Sequence, residues 1–264
     1  MVSLFHILTA PTFVFKTFVP NWLIENYNIF VIAATLYPLM INMYPTQLII
    51  INDTKLLKFI LCLWNLKLAL FSIITVYKLT PPILNRLYIE GYHESVCLTN
   101  QETSFLYQPY GRWVFLFILS KIVEFGDTLF LLLRNKNVNF LHWYHHLITL
   151  LFSYFQCILL LETFEWATYM NVIVHSFMYT YYAIHVYKPS YVKKFSTFIT
   201  TIQVLQMFHG MFLTSYHMLY CNGVKDYPGF VLYSIYTYLF SEYFIKRYIP
   251  NLSKLVLPSF HKLE

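Results

Sequence analysis

Seven stretches of roughly twenty mostly apolar residues run through the chain, at about 28–50, 56–79, 112–134, 140–161, 165–187, 196–220 and 228–247. Each approaches the ~20 residues a helix needs to cross the hydrocarbon core of a bilayer, and this pattern limits the fold more than any other feature. Of the 264 residues, 58% are hydrophobic and only 11% charged, with a mean hydropathy of +0.53, whereas a soluble domain carries about 25% charged residues. The expected fold is therefore an all-α polytopic membrane protein, with a lipid bilayer rather than a nucleic acid as its large partner. Some of the 24 tyrosines and 25 phenylalanines are expected at the two interfaces, where amphipathic rings settle. The start, Met1 to Pro20, lacks a basic region followed by a clean apolar run and a small-residue cleavage site, so the first span is expected to act as its own insertion signal. No repeat or low-complexity tract divides the chain, and residues 1–264 read as one membrane domain.

Orientation follows from lysine and arginine. With seven spans, the loops near 51–58, 134–139 and 188–195 share a side with the C-terminus and carry eleven basic residues, against five on the opposite side. The C-terminus, with a tail from about 248, is thus expected in the cytosol, and the N-terminal segment of about 1–27 outside it. Cys97 and Cys221 then both fall in non-cytosolic loops, where disulfides are permitted. A Cys97–Cys221 bridge is expected there, with two unpaired thiols as the alternative.

Polar groups cluster inside the spans, where ionisable side chains usually face a protein interior or a cavity. Lys121, Glu124 and Thr128 share a helical stripe, with Asp127 one turn beyond Glu124; they form either an internal ion pair or a polar wall beside the histidines. His142, His145 and His146, at i, i+3 and i+4, project from one face near the cytosolic mouth of any cavity. Asn171, His175, Met178 and Tyr182 repeat at helical spacing, and Tyr179 and Tyr181 add phenols able to meet an oxyanion. Thr200, Gln203 and Gln206 follow one face of the sixth span, as ligand contacts or as amide bonds between helices.

His-x-x-His-His alone fits a membrane di-iron oxidase or desaturase, since imidazole suits iron. Such a site draws on about eight histidines over several boxes, and the seven others here form no second box: His6, His93, His175, His185, His209, His217 and His261. The alternative is a nucleophilic imidazole that takes an acyl group from a thioester, held in its reactive tautomer by neighbouring His and Asp side chains. Basic residues at the mouth suit an anionic, phosphate-bearing head group. A transporter using the same buried charges is a third reading.

Four ordered motifs resemble the ELO family of very-long-chain fatty acid elongases: Lys121-x-x-Glu124-x-x-Asp127-Thr128, His142-x-x-His145-His146, Asn171-x-x-x-His175-x-x-Met178-Tyr179-x-Tyr181-Tyr182 and Thr200-x-x-Gln203-x-x-Gln206. The similarity runs over roughly residues 30–250. It implies seven transmembrane helices, six forming a barrel around an acyl tunnel, in the endoplasmic reticulum. It also implies a 3-ketoacyl-CoA synthase that condenses an acyl-CoA with malonyl-CoA and needs no further cofactor or metal. On matching positions, His145 would accept the acyl group with His175 close to the reacting carbons. His142, Asp127 and Asn171 would position them, and His146 would support the box. Lys121, Arg134, Tyr181, Thr200, Gln203 and Lys246 would contact coenzyme A or its thioester, with Glu124 and Tyr179 lining the same site. The resemblance further implies a luminal Cys97–Cys221 disulfide, a homodimer, and association with the 3-ketoacyl-CoA reductase, the dehydratase and the enoyl reductase of the elongation cycle. Lys193-Lys194 stands about one turn further from Thr200 than the family pattern, and neither lysine is given a role.

Overall fold

The first helix of the computed structural model was not expected from the sequence. α1 (Phe15–Glu25) lies in the stretch read as an N-terminal tail, yet it buries Val19, Trp22 and Leu23, and Trp22 meets the edge of Phe115 at 5.2 Å. The structure describes residues 15–43, 54–97 and 110–251. Residues 44–50 of the expected first span, and the end of the expected C-terminal tail, lie outside these. Among the described residues there are α-helices and one short 3-10 segment but no strand.

α2 (Tyr27–Met43) follows α1 after a bend of 59°. α3 (Lys55–Ile89) opens at Thr54, whose side chain accepts the Leu57 N–H. It runs past the expected end at 79, through Pro81 and Pro82, to Ile89. Proline removes helical donors, but Leu79 and Ile83 are buried here. Arg86 forms a 2.6 Å ion pair with Glu165, both essentially without solvent contact. Tertiary contacts on both sides of the prolines thus carry the helix through them.

α3 turns many apolar side chains outward and keeps several polar ones among its buried residues. Leu56, Phe59, Leu63, Leu66, Leu70 and Ile73 are exposed, while Asn65, Ser72, Thr75 and Arg86 are buried. Contiguous exposed apolar surface of this kind marks a lipid or partner contact. α3 is long and apolar enough to cross a membrane, and α1–α2 would be a second such span if the bent pair is taken as one.

α4 (Gly91–Cys97) leaves α3 through Gly91, whose φ of +82° suits a residue without a Cβ. The expected third span is two helices, α5 (Gly111–Val123) and α6 (Phe125–Leu133), interrupted at Glu124. There the Asp127 N–H bonds the Glu124 carbonyl three residues back, a 3-10-type tightening. α7 (Phe140–Ile158) is capped by Asn139, whose side chain accepts the His142 N–H at 2.8 Å. α8 (Phe164–His185), the short α9 (Pro189–Val192), a 3-10 turn (Lys193–Phe195), α10 (Ser196–Tyr220) and α11 (Tyr227–Tyr248) complete the chain.

α3 packs most extensively on α8, and α10 on α11; α8 also meets α10, α11 meets α7, α7 meets α5, and α5 returns to α3. α1 and α2 pack against α7. At the end of this assembly formed by the C-terminus of α7, Asp226 caps α11 by accepting the Gly229 N–H at 2.8 Å. A disulfide joins Cys97 to Cys221 with Cα atoms 5.1 Å apart.

Candidate active site

Two polar clusters hang from the α5–α6 break. In the first, the buried Lys121 ammonium (2% exposed) donates to Glu124 Oε1 at 2.8 Å and to Asn171 Oδ1 at 2.9 Å, and lies 4.2 Å from the Phe117 ring centroid. His175 Nδ1 stands 3.7 Å from the same Glu124 oxygen. Unpaired charges at this depth would be costly, so cation, carboxylate and amide hold one another. Lysine has only donors, which makes the Asn171 oxygen its partner and leaves the amide NH2 as the free face of Asn171.

In the second cluster, Asp127 accepts the Trp64 indole N–H at 2.7 Å and the Tyr179 hydroxyl at 2.8 Å. His142 meets Thr128 rather than Asp127: its Nε2 lies 2.8 Å from Thr128 Oγ1, which lies 2.7 Å from the Tyr37 hydroxyl. Tyr37 stacks on Phe125 at 3.9 Å. A chain Tyr37–Thr128–His142 therefore holds the first histidine of the box, while Asp127 holds the Tyr179 phenol.

The other two box histidines differ from His142. His146 lies 4.4 Å from His142 and 5.7 Å from His145, ring centre to ring centre. His145 is packed by Tyr236 at 5.1 Å and Phe240 at 5.7 Å, and its main-chain carbonyl accepts the Tyr236 hydroxyl at 3.3 Å. No hydrogen bond to the imidazole of His145 is found among the described residues, and the ring lines a narrow cavity together with Asn171 and Gln206. That cavity is a narrow slot lined by both apolar and polar side chains, and it suits a thin, flexible chain.

The remaining expected site residues stand away from this slot. Gln203 donates to the Met178 sulfur at 3.4 Å. Thr200 Oγ1 lies 3.3 Å from the Tyr248 hydroxyl, and Tyr181 stacks near His185 at 5.7 Å. Lys246 is 46% exposed and paired with Glu242 at 2.8 Å. Arg134 closes α6, its N–H bonding carbonyls of the last turn. These residues occupy the start of α10 and the ends of α6, α8 and α11. They thus lie toward the ends of their helices.

Tyr37, Thr149, Gln156 and Tyr236 support the site without having been picked out from the sequence. In a chain with 24 tyrosines no local pattern separates the two that anchor His142 and His145. Gln156, by contrast, could have been found: it lies eleven positions after His145, on the same face of α7.

The fold and site together define an all-α protein with a half-buried histidine, His145, on the wall of a slot-shaped cavity and His175 buried beside Glu124. The chain belongs to the ELO: GNS1/SUR4 family, whose model matches residues 22–254. It is 36% identical over 216 residues to "Fatty acid elongase 1" of Trypanosoma cruzi, covering 75% of this chain and 72% of that protein. It is 32% identical over 246 residues to "Very long chain fatty acid elongase 6" of Drosophila melanogaster (87% and 75%). With the "Very long chain fatty acid elongase 6" of Gallus gallus it shares 35% over 202 residues (74% and 75%).

Proposed function

We propose that this protein is the condensing enzyme of fatty acid elongation, joining an acyl-CoA to two carbons of malonyl-CoA to give 3-ketoacyl-CoA, CO2 and CoA. The observation that carries the reading is the unpaired His145 imidazole on the wall of a narrow cavity, beside the Asn171 amide. A free imidazole lone pair attacks the thioester carbonyl, CoA leaves as thiol, and an acyl-imidazole remains. Loss of CO2 from malonyl-CoA supplies the carbanion, so no strong base is required. The Asn171 NH2 is oriented to donate to a developing oxyanion, with Lys121 fixing that orientation. His175 is the second histidine of the reaction, and His142 and His146 support the box. Close packing keeps out the water that would hydrolyse the intermediate.

Lys121 and Glu124 belong to this inner wall, with Tyr179 held by Asp127. Arg134, Tyr181, Thr200, Gln203 and Lys246 form the mouth, where cations and hydroxyls suit the phosphates and adenosine of coenzyme A. Supporting a tunnel is the order in which α3, α8, α10, α11, α7 and α5 neighbour one another. The proposed setting is the endoplasmic reticulum membrane with seven spans, the N-terminus luminal and the C-terminus cytosolic, and partners in the reductase and dehydratase steps of the cycle and in a second copy of the chain. The exposed apolar face of α3 supports the bilayer part of this reading.

The test uses purified protein in detergent with malonyl-CoA and a panel of acyl-CoAs, without NADPH. Mass spectrometry is expected to find 3-ketoacyl-CoA two carbons longer than each accepted substrate. Folded protein that forms none across the panel removes the reading.

A further inference from the structure

The far part of the cavity carries hydrogen-bond acceptors among its hydrocarbon. Along α7, His145, Thr149, Phe152, Ser153 and Gln156 share one face and all line it. From His145 to Gln156 is eleven residues, about 16 Å at the helical rise. An extended hydrocarbon with bonds of ~1.5 Å advances about 1.25 Å per carbon, so a chain reaching from one to the other has about a dozen carbons. Of the apolar lining, Phe152 and Leu232 suit methylenes along the way, and Phe164, next to Thr163, stands beside the end.

At the end stands Gln156, 1% exposed, with its amide orientation fixed by its neighbours. Gln156 Nε2 donates to Asp226 Oδ2 at 3.0 Å and to Thr163 Oγ1 at 3.3 Å, while Thr163 sends its own proton to the same carboxylate at 2.6 Å. A flipped amide would set an oxygen against a carboxylate. The Gln156 carbonyl oxygen is therefore the atom left for the cavity, and it has no hydrogen bond among the described residues. Ser153, one turn back, spends its hydrogen on the Leu150 carbonyl at 3.0 Å and presents only lone pairs. A methyl group pressed into this end leaves buried acceptors unpaired, which is costly, whereas a hydroxyl satisfies one of them.

We infer that the far end of the cavity recognises a hydrogen-bond donor on the distal carbon of the acyl chain, making ω-hydroxyacyl-CoAs of about a dozen carbons preferred substrates. The inference rests on the condensing reading above and names its substrate class. The end network is built by α7, α8 and the cap of α11 together, which makes it a feature of the assembled molecule.

The experiment compares dodecanoyl-CoA with 12-hydroxydodecanoyl-CoA as acyl substrates of the full chain, by kcat/KM for 3-ketoacyl-CoA formation. The hydroxylated substrate is expected to be about tenfold better, the equivalent of one net hydrogen bond. Gln156→Leu should reverse that order. Because Gln156→Leu also strips Asp226 of a donor, Ser153→Val is the second variant: it removes the neighbouring acceptor without touching Asp226 and should lower the preference. A wild-type ratio near one, or a preference that survives both variants unchanged, overturns the inference. Absence of product from both substrates, and from the wider panel, would instead bring down the condensing reading.

Discussion

Lys121 and Glu124 carry opposite charges at 2% and 4% exposure, so each is tolerable only because of the other. Replacing Lys121 with Met leaves Glu124 buried without its cation, and the expected loss of stability is about 3–5 kcal/mol. The double variant Lys121→Met/Glu124→Leu should recover most of it, since a packed apolar pair replaces the ions. Thermal unfolding in detergent measures both, and losses that simply add would show that the two groups are independent. At the histidines the expectation concerns rate. His145→Ala should abolish product while the folded protein persists on size exclusion. Thr128→Val keeps the shape but breaks the Tyr37–Thr128–His142 chain, and should lower kcat about tenfold with little change in KM. Much of this was legible in the sequence, because spacing alone put Lys121, Glu124 and Thr128 on one stripe and the histidines on one face. What was not legible is who holds whom. Helical spacing reports a shared face and not the facing residue, so the pairing of Thr128 with Tyr37 and of Asp127 with Trp64, from distant helices, came only with the fold.

Two elements meet closely where α10 crosses α11. A Cβ on Gly210 would stand 2.3 Å from the Tyr233 ring, and Tyr233 lines the cavity wall. Gly210→Ala must therefore push the ring or part the helices. The expected result is a loss of about 1–3 kcal/mol together with a product profile shifted to shorter chains as the ring moves into the slot. An unchanged profile would mean that the helices separate instead. Helix ends were the least readable elements. The sequence predicts the ends of α8, α10 and α11 within about two residues, because loop chemistry flanks each. It ends α3 at 79, since nothing local reveals the Arg86–Glu165 pair that continues it. It also runs α5 and α6 together, since the Trp64 ring that packs against Gly126 just past the break comes from a distant helix.

For the whole molecule the Cys97–Cys221 bond spans 124 residues of sequence. A cross-link over so long a loop restricts the unfolded chain strongly. Cys97→Ser/Cys221→Ser is expected to cost about 2–4 kcal/mol, read as a lower midpoint of thermal unfolding, while condensation at low temperature persists because neither sulfur lines the cavity. The bond has a further consequence for the molecule's integrity. Lys121, the box histidines, His175 and Gln203 all fall between the two cysteines in sequence, inside a single covalent ring. One protease cut in the link from Arg134 to Asn139 opens the ring without releasing either piece. Cleaved protein should migrate as one band on a non-reducing gel and fall into two only when the sulfurs are reduced. Backbone continuity and molecular integrity are separate properties in this chain.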